Sequence, residues 1–189
     1  LQISTGNLTF WFPTKEHILA ELVSELFEFQ WKAEEQEQEQ DLLLAYLFEL
    51  LMIASVCEDN PNIKDLIVAV YTHSMSLEII RKYDTKRAET TFGKYCRGWT
   101  QTDYVLAENV ASGIECSMLM TENTESVTFE QRVTSSLDAI MRLYEVPGDV
   151  RKSLLDEVMA MDYRGKGSYV FEEFCGYVGE KIMQSYEMR

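Results

Sequence analysis

Apolar residues recur three or four positions apart along almost the whole chain, which is the spacing of one face of an α-helix. A long helix is predicted from Thr14 onwards, with apolar positions at Ile18, Leu19, Leu22, Val23, Leu26, Phe27 and Phe29. Further helices are predicted over residues 42–57, 62–72, 76–95, 103–120, 129–144, 149–161 and from about 169 onwards. The chain has only three prolines and nine glycines, so it offers few turn residues for a sheet. The pattern therefore predicts an all-α protein with short connections, as in a helix bundle.

Composition narrows the classes of function. Hydrophobic residues make up 46% of the chain and charged residues 26%, as in soluble globular proteins rather than disordered ones. The longest apolar stretch, residues 42–56, is interrupted by Glu49 and is too short to span a membrane, and no signal peptide is evident. We therefore expect a cytoplasmic protein with no membrane partner.

The candidate metal ligands and nucleophiles stand far apart in the sequence. The cysteines and histidines are Cys57, Cys96, Cys116, Cys175, His17 and His73. Their spacing predicts reduced, mostly buried thiols and no zinc site. The chain has no nucleophile with a matched base and no phosphate-binding loop. We expect no metal and no cofactor, and the sequence does not favour an enzyme.

The opening stretch STGNLTFWFPTKEHILAEL, residues 4–22, has the features of a helix that reads DNA. A short helix is predicted over residues 4–12, with Ser4 as its N-cap and a proline after its last residue. Leu8 and Phe12 lie four positions apart and would anchor this helix inward. The opposite side of the helix is then free to lie in a DNA groove.

A cation in the first turn of the next helix supports this interpretation. Lys15 follows the predicted N-cap Thr14, where the helix dipole disfavours a positive charge by about 0.3–1 kcal/mol. A bound phosphate would make the lysine favourable there, because the free backbone amides and the ammonium group would both bind the phosphate. The predicted DNA-contacting residues are Thr5, Gly6, Asn7, Thr9, Phe10, Trp11 and Lys15. The alternative is an ordinary capped helix start with a buried aromatic cluster.

The stretch IS-T-GNLTFWF-PT-KEHIL resembles the recognition helix and the following helix of the TetR family of bacterial transcriptional regulators. That family typically has Ser-x-Gly-x-Leu-Tyr-x-His-Phe, followed by Lys-Glu-x-Leu. The matching residues are Ser4, Gly6, Leu8, Phe12, Lys15 and Glu16. Ile18 stands at the second Leu position, while Thr9 replaces the usual Tyr and Trp11 replaces the usual His. The resemblance covers about residues 1–22, and the rest matches in being helical and of the expected size.

The resemblance implies a TetR-like architecture in two parts. Residues 1–28 would be the C-terminal part of a helix-turn-helix DNA-binding domain, with the recognition helix at about 4–12 and the start of a linking helix at 14–28. Residues 29–189 would form a helical ligand-binding and dimerisation domain. The resemblance also implies that the first helix of the DNA-binding domain and nearly all of its second helix precede Leu1. Only the complete protein would then bind DNA specifically.

The function implied by the resemblance is a ligand-responsive transcriptional regulator, expected to be a repressor. A homodimer would place two recognition helices in adjacent major-groove turns of a double-stranded DNA operator. An unknown small-molecule effector would change their spacing by binding one arrangement more tightly than the other. The formal net charge of −15 opposes DNA binding. We therefore expect the acidic residues, including the run at 34–41, to lie away from the DNA.

Residues 103–120 are apolar over most of the helix circumference, which predicts a helix surrounded by neighbours with a pocket beside it. Asn109 is predicted to face an apolar setting, where its amide must bind a ligand or a neighbouring helix. Glu108 and Glu115 are predicted to form a solvated stripe. The candidate pocket residues are Tyr71, Met75, Trp99, Tyr104, Asn109, Cys116 and Met118, although most of them also fit an ordinary core.

Helices 129–144 and 169–186 are candidates for an isologous dimer interface made by four-helix packing. The predicted apolar stripe of this interface consists of Leu137, Ile140, Met141 and Tyr144.

A second stretch, DYRGKGSYVFEEF at residues 162–174, mimics a calcium-binding EF-hand loop. Asp162, Gly167 and Glu173 occupy the first, sixth and twelfth positions of such a loop. However, two cations, Arg164 and Lys166, stand where oxygen ligands are required, which argues against calcium binding. We expect instead a Gly-broken connection into an amphipathic terminal helix. The alternative function is therefore an acidic helical interaction module, or a calcium-sensor-like module with a degenerate loop at 162–173.

Overall fold

A computed structural model describes residues 14–34 and 41–187, and within those ranges the chain forms eight α-helices and no strand. The helices are α1 (Lys15–Glu34), α2 (Leu42–Asp59), α3 (Pro61–Thr72), α4 (Ser74–Phe92), α5 (Gln101–Met120), α6 (Phe129–Leu143), α7 (Gly148–Met159) and α8 (Tyr163–Glu187). The predicted all-α class is therefore confirmed. The predicted recognition helix at 4–12 lies outside the described residues. None of the described helices is long and apolar enough to span a membrane.

Local capping explains where several of these helices begin. The Asn60 side chain accepts hydrogen bonds from the backbone N–H groups of Asn62 and Ile63 at 3.1 and 3.3 Å, directly before the proline that opens α3. Thr128 and Gln131 form a reciprocal capping box at the start of α6. Such caps satisfy backbone donors that have no partner inside the helix. The helix starts are thus encoded locally.

Helix α2 lies at the centre of the molecule and contacts each of α3 to α8. Its buried apolar side chains include Leu43, Leu47 and Leu51, which belong to the main hydrophobic core. Three aromatic rings meet there: Phe92 at the end of α4 stacks on Tyr144, which follows α6, at 4.1 Å between ring centroids, and Tyr46 of α2 meets Phe92 edge-on at 5.4 Å. The remaining helices therefore surround α2.

Helix α1 packs on the outside of this core, against α3, α4 and α8. Leu19 and Val23 of α1 form a second hydrophobic cluster with Val70 and Ile80. At its other side, Lys181 of α8 forms an ion pair with Glu25 at 2.6 Å. Helix α1 is thus held by apolar contacts on one side and by charged contacts on another.

The last helix differs from its prediction, because it begins at Tyr163 rather than at about 169. Asp162 accepts a hydrogen bond from the backbone N–H of Gly165 at 2.9 Å and so caps the first turn. Gly167 lies against α2, where a Cβ atom would stand 3.1 Å from the carbonyl oxygen of Met52. The expected Gly-broken connection is therefore wrong, and the segment 163–173 is helical instead of forming an EF-hand loop.

Two further predictions are corrected by the fold. The helix predicted over residues 76–95 begins and ends earlier, because α4 starts at Ser74, with His73 at the cap position, and ends at Phe92. The predicted dimer stripe of Leu137, Ile140, Met141 and Tyr144 is completely buried within the single chain. Its apolar residues belong to the main core, so this stripe cannot form a contact between subunits.

Candidate functional site

Helix α5 turns Glu108 and Glu115 inward and part of its apolar surface outward, the reverse of the sequence prediction. Glu108 is 2% exposed and Glu115 is 3% exposed, and Ser112 between them is also buried. In contrast, Leu106 is 59% exposed on the opposite side. The prediction of a fully surrounded helix with a solvated glutamate stripe is therefore wrong. Buried carboxyls need polar partners, and the neighbouring helices supply them.

Glu115 is held by two tyrosines from two different helices. The hydroxyl of Tyr46 on α2 donates a hydrogen bond to Oε1 at 2.9 Å, and the hydroxyl of Tyr71 on α3 donates to Oε2 at 2.8 Å. Burial raises the pKa of Glu115 to about 7, although these hydrogen bonds lower it in part. The two donors fix the plane of the carboxyl group. With a pKa of about 7, the carboxyl is about half ionised at neutral pH.

Glu108 lies two helical turns earlier on the same side of α5. The Tyr144 hydroxyl donates a hydrogen bond to its Oε2 at 3.2 Å. Its other oxygen, Oε1, is buried and has no hydrogen-bond partner among the described residues. Burial raises the pKa of Glu108 to about 9, and the nearby charges of Asp84 and Glu115 add to this effect. Glu108 is therefore mostly protonated at neutral pH.

Asp84 on α4 completes what we call the buried acidic cluster, which consists of Asp84, Glu108 and Glu115. Burial raises the pKa of Asp84 well above its ordinary value, and the charges of Glu115 and Glu49 raise it further. Arg87 acts in the opposite direction. Because these like charges oppose one another, the three carboxyls do not all ionise at neutral pH and the cluster keeps protons.

Two arginines lie beside the cluster, and both are engaged by other groups. Arg87 forms an ion pair with Glu49 at 2.7 Å, and its guanidinium lies over the ring of Tyr46 at 5.5 Å from the centroid. The Nε of Arg81 donates a hydrogen bond to the hydroxyl of Ser112 at 3.1 Å. The positive charges of Arg81 and Arg87 therefore compensate part of the negative charge of the cluster.

A cavity of about 60 Å³ lies beside the cluster, where helices α1 to α5 meet. Asp84, Glu115 and Glu49 contribute the carboxyl groups of its wall, and Tyr46 and Tyr71 contribute aromatic rings. Helix α1 closes one side with Val23, Leu26 and Phe27. The cavity, together with the acidic cluster, is the candidate functional site.

A wider outer pocket of about 520 Å³ adjoins the same region and is more open to solvent. Its lining includes Leu77 and Arg81 from α4, and Ser112 and Cys116 from α5. Tyr71 lines both the outer pocket and the inner cavity. A ligand entering through the outer pocket would therefore meet Tyr71 before it reached the acidic cluster.

The structure does not bring the seven predicted pocket residues into one cavity. Tyr71 and Cys116 line the outer pocket, whereas Met75 and Asn109 are exposed and Met118 is in the core. The remaining two, Trp99 and Tyr104, pack edge to face with ring centroids 5.2 Å apart. The apolar setting predicted for Asn109 is therefore wrong.

The sequence did not predict that four residues of the site face the interior: Tyr46, Asp84, Glu108 and Glu115. The spacing of Glu108, Ser112 and Glu115 at intervals of four and three marks a common helix face. The same spacing also fits the solvated stripe that the sequence predicts. Only the distant tyrosines reveal that the stripe faces inward.

Lys15 is exposed at the first residue of α1. In the same turn, the Thr14 hydroxyl lies 2.9 Å from Nδ1 of His17. The other predicted DNA-contacting residues, Thr5, Gly6, Asn7, Thr9, Phe10 and Trp11, lie outside the described residues.

Comparison of this chain with protein families, with curated proteins and with solved structures finds no match.

Proposed function

We propose that this chain is the ligand-responsive part of a TetR-like DNA-binding transcriptional regulator. The observation that carries the proposal is the position of α1. This helix walls the inner cavity with Val23, Leu26 and Phe27, and it carries Lys15 at its N-terminal end. The predicted recognition helix at 4–12 directly precedes it in the sequence. One helix would therefore connect the candidate ligand site with the predicted DNA contact.

The mechanical link follows from helix geometry. Val23 to Phe27 lie eight to twelve residues after Lys15, a distance of about 12–18 Å along the helix axis. An occupant that displaces α1 at the cavity would also move its N-terminal end. Such a ligand changes DNA affinity only if it binds one arrangement of α1 more tightly than the other. The proposed effect is a loss of operator binding when the cavity is filled, as in a repressor.

The proposed homodimer requires a surface other than the buried stripe on α6. Helix α5 exposes a row of residues spaced alternately by four and three positions: Leu106, Val110, Gly113, Ser117 and Met120. This is the spacing of the contact line between two paired helices. A Cβ atom at Gly113 would have no neighbour within 4 Å, so a second helix can approach there. We assign the dimer contact to this face, so the second helix would also cover the side of the outer pocket that Gly113, Ser117 and Met120 line.

A mobility-shift experiment with the complete protein and DNA from upstream of its own gene tests the proposal. Binding should weaken when the effector is present, and its dependence on salt should report the phosphate contacts. Absence of specific DNA binding by the complete protein would reject the regulator proposal and favour a helical interaction module.

Lys15→Ala tests the predicted phosphate contact. The substitution should weaken binding to all DNA sequences about equally and lower the slope of log affinity against log salt by about one. Lys82→Ala is a matched control, because Lys82 is an exposed lysine on α4. An unchanged salt slope in the Lys15 variant would remove this residue from the proposed DNA contact.

A further inference from the structure

The outer pocket differs in charge from the chain as a whole. The chain carries 32 acidic residues against 17 lysines and arginines, yet none of the described residues that line this pocket is an Asp or a Glu. Arg81 is the one charged residue of that described lining. Because an arginine side chain does not lose its proton in proteins, the pocket presents a permanent positive charge.

Arg81 has hydrogen-bond donors to spare. Its Nε donates to the Ser112 hydroxyl at 3.1 Å, and within the described part of the chain this is the one hydrogen bond that its side chain makes. The two terminal nitrogens of the guanidinium therefore have no acceptor there. The charge of Arg81 also acts on Glu108, but Glu108 is mostly protonated at neutral pH and does not neutralise it. The half-buried guanidinium is thus held in the pocket wall with its outer end unused.

The free end of the guanidinium matches a carboxylate. Its planar pair of N–H donors fits the two oxygens of a carboxylate in a bidentate arrangement. A phosphate monoester carries nearly two negative charges at neutral pH, whereas one cation stands in the described lining. The charge of the pocket therefore favours a monocarboxylate.

The rest of the lining suits an aliphatic chain. Leu77 of α4 and both Cys116 and Met120 of α5 contribute apolar side chains. The α5 part of the lining spans residues 112–121, a rise of about 14 Å along the helix axis, and Arg81 stands at its beginning. The volume of about 520 Å³ is typical of small-molecule sites, which measure about 300–1,000 Å³. The pocket is therefore elongated, with its charge at one end.

We infer that the outer pocket binds a medium-chain aliphatic carboxylate, with the carboxylate on the terminal nitrogens of Arg81 and the chain extending along α5 towards Met120. This inference rests on the proposed function, because it names the chemical class of the effector. Binding is reversible and involves no covalent step. In the proposed dimer, the second α5 would cover the aliphatic chain and shield it from water.

Helix α4 connects this pocket with α1. Ile80, which precedes Arg81, belongs to the second hydrophobic cluster together with Leu19 of α1. Two positions after Arg81, the ring of Tyr83 stacks on the ring of Phe27 with 4.4 Å between centroids. A ligand that holds Arg81 in one position therefore favours one position of α4, and with it one position of α1.

Isothermal titration calorimetry of the 189-residue chain with sodium octanoate tests the inference. The matched probes are octanamide, which is neutral and nearly the same shape, and octylammonium, which carries the opposite charge on the same chain. Octanoate should bind with a dissociation constant on the order of 100 µM. Its binding should be at least about tenfold tighter than that of either probe, because only the carboxylate pairs with the guanidinium.

Substitutions of Arg81 test the carboxylate contact. Arg81→Gln removes the charge and should weaken octanoate binding at least about tenfold. Arg81→Lys keeps the charge but loses the planar pair of donors, so it should weaken binding at least about threefold. Arg97→Gln is the matched control, because Arg97 is an exposed arginine outside the pocket lining. Circular dichroism verifies the fold of each variant, and Arg81→Lys serves as the test if Arg81→Gln does not fold.

Met120→Ser tests the position of the aliphatic chain. Met120 is 52% exposed, so the variant should fold, but it loses apolar contact with the chain of the ligand. Octanoate binding should weaken at least about threefold. Met75→Ser is the control, since Met75 is an exposed methionine of α4 outside the pocket lining.

Two kinds of result would overturn the inference. The first is no binding of octanoate, or octanamide binding that is equally tight. The second is undiminished octanoate binding by a folded Arg81 variant or by Met120→Ser.

The mobility shift separates this inference from the proposed function. Specific DNA binding by a protein that does not bind octanoate rejects the carboxylate site alone. Octanoate binding that leaves the DNA complex unchanged rejects its role as effector.

Discussion

At the scale of single residues, the most unusual group is the carboxyl of Glu108. It is almost completely buried, and one of its oxygens lacks a hydrogen-bond partner within the described part of the chain. Burial and the charges of Asp84 and Glu115 raise its pKa to about 9, whereas Arg81 and the Tyr144 hydroxyl lower it. The protein therefore carries a neutral glutamic acid at a pH where an exposed glutamate is ionised.

This protonation makes stability depend on pH in a defined direction. In the unfolded chain Glu108 and Glu115 lose their protons near pH 4.5, but in the folded chain they lose them near pH 9 and pH 7. The folded state therefore binds more protons between these values, so the free energy of unfolding falls as pH rises. We expect a lower melting temperature at pH 8.5 than at pH 5.5.

Glu108→Gln should reduce this loss, because glutamine does not ionise. The quantity to compare is the drop in melting temperature between the two pH values, which is smaller in the variant than in the wild type. Glu89→Gln should leave the drop unchanged, since Glu89 is exposed. Equal drops in the wild type and in Glu108→Gln would show that Glu108 does not hold a proton in the folded state.

At the scale of helices, local patterns predict where most elements lie but not which face turns inward. The helices between Leu42 and Met159 follow the apolar periodicity to within a few residues, because their caps are local in sequence. The orientation of α5 depends on Tyr46 and Tyr71, which are 69 and 44 positions away from Glu115. When apolar residues lie all round a helix, its own sequence does not predict which face is buried, and the distant partners determine it.

The early start of α8 has the same kind of cause. The contact between α8 and α2 is the most extensive helix pairing in the described part of the chain. Gly167 permits it, because the backbone of α8 reaches Met52 and Ser55 there. In an isolated sequence, glycines at positions 165 and 167 indicate a break, since glycine weakens a helix by about 1 kcal/mol. Tertiary packing overrides that local preference.

Two glycines of α8 provide a matched test of this explanation. At Gly167 a new Cβ atom would lie 3.1 Å from the Met52 carbonyl oxygen and 3.2 Å from the Ser55 hydroxyl. At Gly176 it would meet nothing within 4 Å. Gly176→Ala should therefore stabilise the protein by up to about 1 kcal/mol through helix propensity.

Gly167→Ala raises the helix propensity by the same amount, but the new methyl group forces α8 away from α2. The free energy of unfolding of this variant should therefore be lower than that of Gly176→Ala by at least about 1 kcal/mol. Urea unfolding of both variants measures the difference. Equal stabilities would mean that the α2–α8 contact tolerates a methyl group, and close packing would then not explain the glycine.

At the scale of the whole molecule, the outward face of α5 is the feature that a folded monomer does not explain. Val110 is 52% exposed and Leu106 is still more exposed, although the same helix buries two glutamates. Contiguous exposed apolar residues commonly mark an interaction surface. If two chains pair through α5 about a two-fold axis, both chains use the same row, and every contact between two different residues of the row occurs twice.

Val110→Glu tests the proposed dimer. In a symmetric contact the substitution places two new carboxylates in the interface, where burial and mutual repulsion weaken association at least about tenfold. The fold should survive, because a change at an exposed position usually alters stability by less than about 0.5 kcal/mol. Val170→Glu is the control, since Val170 is an exposed valine on α8. Sedimentation equilibrium should show a dimer for the wild type and for Val170→Glu but a monomer for Val110→Glu. A monomeric wild type, or a Val110→Glu variant that still dimerises, would remove α5 as the dimer contact.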